Sequence, residues 1–473
     1  MILYGAQDET VDDGHEVRQS THQAIDAVPV ELEKREQTFA VHTKVLKIRQ
    51  TTTPTITQLS FGIAPWTTKP GRALNVKRAL IESLPTAPYQ SKKPVDTAIF
   101  HDGIKTSGQH PPLYDQLRPY SDFPKECTGP TLWKPEDYKD NPERWVHRFT
   151  AEEIEELGSV ADKFIADGTP LTGISKSNFV LPKLGKVLAD VKKDLVDGKG
   201  FILFKGIPVW EWDNHKCAAA YMGLGTYLGY FISQNSRGHV LGHVKDVGDD
   251  ATQIDKVRIY RTNARQFFHV DDCDIVGLLC IARALEGGES DLASTQHVWN
   301  TIQRERPDVA ETLTKPIWYF DRKGETSFGE EEYIRVPLFY LETGDNPRVF
   351  AKADPYFVKS LKRFSDTGEI PALSPEQLDA LQVLEDTCMK VSLHMVLELG
   401  DIQFLHSGPH VFHSRTAYKD NLPPLPRRHL MRLWLSVPES EGGWKLPFHD
   451  SHEKKRGGIQ VNDTPPVCPL DAE

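Results

Sequence analysis

Apolar positions recur at helical spacing between about residues 150 and 228 of this 473-residue chain and at every second position in stretches of its last third. Thr150-Ala-Glu-Glu153 reads as a capping box, and Ile154, Leu157, Ala161 and Phe164 follow one helical face until Gly168 ends the run. Pro182 opens a second predicted helix carrying Leu184, Val187, Leu188, Val191 and Leu195, closed by Gly198. A buried-type strand, 201–204, and a third helix over roughly residues 214–228 come next. Beyond residue 255 the pattern turns mostly to strands. Residues 276–281 form a short apolar run, and Ser374-Pro-Glu-Gln377 caps a helix carrying Leu378, Leu381 and Leu384. Val391, Leu393, Met395, Leu397 and Leu399 alternate with Ser392, His394 and Glu398, Gly400-Asp401 turns the chain into 402–405, and a last strand covers 429–437. In that strand Arg428, Leu430, Arg432 and Trp434 share one face, and His429, Met431, Leu433 and Leu435 the other.

Helices followed by many antiparallel-type strands predict a mixed α+β fold, a β-barrel or jelly roll buttressed by helices. Residues 1–127 read differently. The first 36 are acid-rich, residues 37–81 hold no Asp or Glu but seven bases, and Pro recurs up to Pro124. Apolar residues are too sparse there for a periodic core face, so an irregular extension wrapping the core is expected. The polar tail, 446–473, is expected to fray.

With 56 Lys+Arg against 67 Asp+Glu, the net charge of −11 argues against nucleic-acid binding through broad electrostatic attraction. No apolar run approaches the roughly 20 residues that cross a bilayer, so no membrane span is expected. The six cysteines are scattered without a CxxC pair, and the first residues lack the basic and apolar regions of a secretory signal. A reducing, cytoplasmic setting is the expectation, with a mitochondrial one as the alternative suggested by the acid-poor, hydroxyl-rich 37–81 stretch. Walker-type, GxSxG and HExxH motifs are missing from the sequence.

Candidate chemistry centres on His269-Val-Asp271. In an extended segment residues i and i+2 point to one side, so an imidazole and a carboxylate converge. Those are two ligands of a 2-His-1-carboxylate face, which binds iron(II) and leaves positions open. By itself the tripeptide is also an ordinary exposed turn, and Asp272 and Asp274 compete as carboxylates. A third ligand has to come from afar, and His406, His410 and His413 crowd one stretch. Two arginines on an otherwise apolar strand are costly to bury unless they meet anions, whether structural carboxylates or a bound organic acid.

The order His269-Val-Asp271, Gly287-Gly-Glu-Ser290, Gly400-Asp-Ile-Gln-Phe404, His413-Ser-Arg-Thr416 and Arg428…Arg432 resembles the taurine dioxygenase (TauD/TfdA)-like family, related to clavaminate synthase, over roughly residues 128–440. The resemblance implies a double-stranded β-helix in a catalytic domain of residues 128–445, and an iron(II)/2-oxoglutarate-dependent oxygenase. It implies His269, Asp271 and His413 as iron ligands, with Ser290 and Arg428 on the 2-oxoglutarate carboxylate. Arg432 matches a position that in some members grips an anionic substrate group, although it could also help hold the cosubstrate. Asn263 and Phe339 stand as further substrate-side candidates. The implied reaction consumes O2 and converts 2-oxoglutarate to succinate and carbon dioxide. Hydroxylation of a small organic acid, an amino acid or a derivative, is the default outcome, and desaturation or ring closure are variants. Only Cys127 lies in the first 130 residues, which disfavours the carnitine-pathway relatives with their N-terminal zinc module. The rivals are a cupin-like metalloenzyme that works without 2-oxoglutarate and a catalytically silent barrel that binds a ligand or partner. Homo-oligomerisation is left open.

Overall fold

The computed structural model describes residues 117–327, 332–447, 458–459 and 461–472. The extension expected over residues 1–127 falls mostly outside them. Its described end is tied down: Phe123 packs 5.1 Å from the Trp299 ring, and Asn300 exchanges two hydrogen bonds with the Cys127 backbone at 2.6 and 2.9 Å.

The predicted helices form where their signals placed them. Thr150 and Glu153 close a capping box on Ala151–Ala166, Leu184–Asp197 ends at Gly198, and Asp213 caps Asn214–Leu228. Ser374 and Gln377 close a second box on Pro375–Lys390, in which Leu381 and Leu384 are buried while Leu378 is exposed. Two helices that apolar spacing did not reveal follow Ser294. Thr295–Glu305 starts where the Ser294 hydroxyl accepts from the His297 N–H, and Pro307–Thr314 begins with proline at its first position.

The strands divide between two main sheets. The seven-stranded sheet runs in the order Val146–Arg148, Phe201–Lys205, Ile402–His406, Ile275–Ala282, His429–Ser436, Tyr230–Phe231, with Leu241–Val244 also on His429–Ser436. The four-stranded sheet runs Leu393–Met395, Ser290–Ser294, Val411–Arg415, Gln266–His269, antiparallel throughout. Period-two alternation gives each sheet two different faces. Phe201, Leu203, Val276, Leu430 and Trp434 of the large sheet pack with Leu292, Leu393, Met395 and Val411 of the small one in a shared inner core. Phe404, Met431, Leu433 and Leu435 face the other way, toward the helices Leu184–Asp197 and Asn214–Leu228. The alternation expected over 391–399 is real as burial through Leu397, but only Leu393–Met395 pairs as strand and Leu399 is exposed.

The tail does not fray where it is described. Val467 bridges His239, its N–H donating to Gly238 O at 2.9 Å and its carbonyl accepting from Val240 N at 3.0 Å. Further along, Pro469 O accepts from His243 at 2.9 Å and Asp471 pairs with Lys245 at 2.7 Å. Backbone pairing to a sheet neighbour holds this polar segment, and such pairing leaves no mark in hydrophobic spacing. Among the described residues no helix is long and apolar enough to cross a membrane.

Candidate metal centre and flanking cavities

The candidate side chains project from the inner faces of the two sheets. Val411, His413 and Arg415 alternate onto the inner face of the small sheet. In register, His413 lies opposite Leu292 and Arg415 opposite Ser290. Arg428 and Arg432 share their face with Leu430 and Trp434 on the large sheet. His269 ends the strand Gln266–His269, directly paired with His413.

His269, Asp271 and His413 meet there, all buried, with candidate ligand atoms within 4.8 Å of one another. Asp271 Oδ1 is 3.9 Å from His269 Nε2, and Oδ2 is 3.3 Å from His413 Nε2. The two imidazole rings lie 4.2 Å apart. The Nδ1–H of His269 donates to Phe267 O at 2.9 Å, which makes Nε2 the lone-pair nitrogen, and the Gln266 side-chain amide donates to it at 2.9 Å. The Asp271 backbone N–H donates to Ser407 Oγ at 2.8 Å and fixes the turn that follows the strand. Burial and the neighbouring His413 push the His269 pKa down to about 3, so the ring is neutral and able to coordinate. Burial works to raise the Asp271 pKa, but His413 and Arg432 outweigh it and hold the carboxyl ionised. Asp271 Oδ2 and His413 Nε2 are buried without a hydrogen-bond partner. Two imidazole nitrogens and a carboxylate oxygen converging in a buried site, two of the three without a hydrogen-bond partner, fit a divalent iron.

The competing groups have other work. Asp272 pairs with Lys352 at 2.5 Å, and Asp274 accepts from the Val437 N–H at 2.7 Å. His410 donates through Nδ1 to Gly198 O at 3.1 Å and packs 4.9 Å from the Trp444 ring, as does His406 at 5.8 Å.

Two cavities meet at the triad. The smaller, about 460 Å³, is lined by His269, His413, Ser290, Arg415 and Arg428 with apolar walls from Leu278, Leu397 and Leu430. The larger cleft, about 940 Å³ and partly open to solvent, takes in Arg258, Lys352, Asp354, Tyr356 and Ile459. Tyr260, Gln266, Asp271 and Arg432 line both. Arg428 Nη2 donates to Gly288 O at 3.2 Å, its Nη1 has no partner, and its guanidinium lies 4.9 Å from the Tyr418 ring. Gly288 makes room for it: a Cβ there would come within 2.7 Å of Arg428 Nε. Ser290 Oγ faces Gln403 across the sheets at 3.3 Å. Burial, then the Arg428 charge, push the Arg415 pKa down to about 10. Arg432 donates through Nε to Gln234 Oε1 at 2.7 Å and approaches Asp271 Oδ1 to 3.8 Å.

Two expected substrate-side residues fall elsewhere. Phe339 is core, 5.5 Å from Trp299 and 6.0 Å from Phe412 by ring centroid, because its strand packs under the helices beside the small sheet. Asn263 is exposed, and its recorded contact is a backbone carbonyl that accepts from the Tyr418 N–H. Neither lines the cavities described. Lining residues to which the sequence pattern gave no role include Arg258, Gln266, Lys352, Asp354, Tyr356 and Ile459. Gln234 belongs to the 233–235 polar stretch ahead of the His-x-Asp, whose role only the Arg432 contact reveals.

The family model described as taurine catabolism dioxygenase TauD, TfdA family, matches residues 167–434. The chain belongs to this family. It is an iron(II)/2-oxoglutarate-dependent dioxygenase, with iron(II), 2-oxoglutarate and O2 as its cofactor set. It is similar to FR-33289 synthase of Streptomyces rubellomurinus, 28% identical over 331 residues that cover 68% of this chain and 93% of the relative. It is also similar to the taurine hydroxylase-like protein SAT17 of Stachybotrys chartarum, 28% identical over 321 residues covering 64% and 80%. Among solved structures it is similar to asparagine oxygenase in complex with Fe(II), 2S,3S-3-hydroxyasparagine and succinate (16% identity, TM-score 0.47, covering 62% of this chain and 94% of that one). The non-heme iron oxygenase OrfP in complex with Fe and alpha-ketoglutaric acid is another (15% identity, TM-score 0.45, 62% and 94%).

Proposed function

We propose that this dioxygenase oxidises a small organic acid, an amino acid or a derivative of one, by hydroxylation in the default case, within a double-stranded β-helix formed by residues 128–445. His269, Asp271 and His413 hold the iron in this reading, and bound iron supplies the activation of O2 and the oxidative decarboxylation of 2-oxoglutarate. Ser290 and Arg428 bind a cosubstrate carboxylate in the smaller cavity. Arg432 engages an anionic group of the substrate from the larger cleft, and Gln234 fixes its guanidinium in place.

The observation that carries the reading is the shared wall. Asp271 and Arg432 line both cavities, so a cosubstrate in one and a substrate in the other would both reach the same triad. Asp354 favours an amino acid over a simple acid. It is a buried carboxyl in the larger cleft whose recorded hydrogen bonds go to the Tyr356 backbone, with no salt-bridge cation among the described residues. Burial, and then the Asp271 charge, raise its pKa to about 6 against the opposing pull of Lys323, and an ammonium group beside it would favour the ionised form further. Apolar walls around the smaller cavity exclude water from the cosubstrate.

An anaerobic titration tests the core of this. Iron(II) followed by 2-oxoglutarate should produce a weak visible charge-transfer band that needs both additions. Asp271→Ala should lose it. A band of wild-type strength in that variant would reject the ligand assignment, and iron binding without any band would remove 2-oxoglutarate from the smaller cavity.

A further inference from the structure

Arg415 ends the strand Val411–Arg415 two residues after His413, on the same inner face and opposite Ser290 in register. Its side chain is 6% exposed and lines the smaller cavity. Nη2 donates to the Ala264 carbonyl, but Nε and Nη1 have no partner, and no carboxylate pairs with the group among the described residues. Arg428 adds a second guanidinium with an unpartnered Nη1. The Tyr418 ring lies close to both, 5.0 Å from one and 4.9 Å from the other. Two buried cations with uncommitted donors on one cavity are expensive unless anionic charge enters. The assigned cosubstrate brings two carboxylates, one of them at the far end from its 2-oxo group.

We propose that Arg415 is a second binding residue for 2-oxoglutarate, contacting its distal carboxylate together with Arg428. The inference rests on assigning the smaller cavity to the cosubstrate. It goes beyond that assignment, because a lone bond to the Ala264 carbonyl would make Arg415 merely a strut between strand and loop. The two roles differ in what they do to a 2-oxo acid that lacks a distal carboxylate.

The test uses the iron(II)-loaded enzyme under anaerobic conditions, and measures the Kd of 2-oxoglutarate and of 2-oxobutyrate for wild type, R415Q, R415K and R428Q. For R415Q the 2-oxoglutarate Kd should rise at least about tenfold while 2-oxobutyrate stays within about twofold, the scale of one lost hydrogen bond to a charged group. R415K, which keeps the charge, should fall between. Equal weakening of both 2-oxo acids, or unchanged 2-oxoglutarate binding, overturns the proposal. R415K gives the same comparison should R415Q fail to fold. R428Q separates the two levels of argument. If R428Q weakens 2-oxoglutarate and R415Q does not, only Arg415 loses its role. If neither variant matters, the cavity assignment itself falls.

Discussion

Gly288→Ala should weaken 2-oxoglutarate binding although residue 288 supplies no side chain to the site. Gly288 has φ +80°, and a Cβ there would lie 2.7 Å from Arg428 Nε and 3.1 Å from its Cδ. Arg428 cannot simply swing aside: it is 5% exposed, stacked by Tyr418 and bonded to the Gly288 carbonyl. The left-handed backbone costs a non-glycine residue about 1 kcal/mol, which lowers stability without unfolding the protein. Displacing the guanidinium forfeits a charge-assisted carboxylate contact of about 1.5–3 kcal/mol, or roughly a 10- to 150-fold rise in Kd. Gly206→Ala is the control, since it carries φ +110° but has nothing within 4 Å of the added Cβ. It bears the same kind of backbone strain with no collision, so its cosubstrate affinity should match wild type. Anaerobic titration of 2-oxoglutarate into the iron-loaded proteins reads the difference. A Gly288→Ala Kd within about twofold of wild type, or an equal loss in both variants, would refute the reasoning.

Two further outcomes follow from groups outside the catalytic centre. Burial pushes the His410 pKa from 6.5 down to about 3, so below pH 6.5 the unfolded chain takes up a proton that the native ring refuses. Stability should therefore fall with acidification by about 1.4 kcal/mol per pH unit from this group, down to about pH 3. His410→Asn should flatten that slope in denaturant unfolding at pH 7, 6 and 5, and identical slopes would contradict it. Deleting residues 461–473 removes the Val467 bridge and leaves His243 without its Pro469 acceptor. Each buried group left unsatisfied costs about 1–3 kcal/mol, so the melting temperature should drop, whereas an unchanged value would mean the tail contributes nothing.

Locally encoded elements are legible in the sequence. Caps at Thr150 and Ser374, the glycine stop at 198 and the two-faced strand ending in Ser436 each depend on neighbours a few residues away. The helix after Ser294 was harder, because its buried face includes Gln296, Asn300 and Thr301 as well as Val298, Trp299 and Ile302, so apolar spacing alone understates it.

The amino-acid sequence by itself supplied the candidate ligand types, the His-x-Asp spacing that lets two of them converge, and the two arginines on one strand face. Proximity between distant segments came only from tertiary structure. His413 meets His269 because two strands separated by well over a hundred residues pair in register, and no local signal encodes that register. The same pairing sets Arg415 opposite Ser290, and sheet packing buries Phe339 in core while Asn263 stays at the surface. The polar tail is held by backbone groups, a carbonyl on every residue and an N–H on every residue but proline, which side-chain patterning therefore cannot foretell.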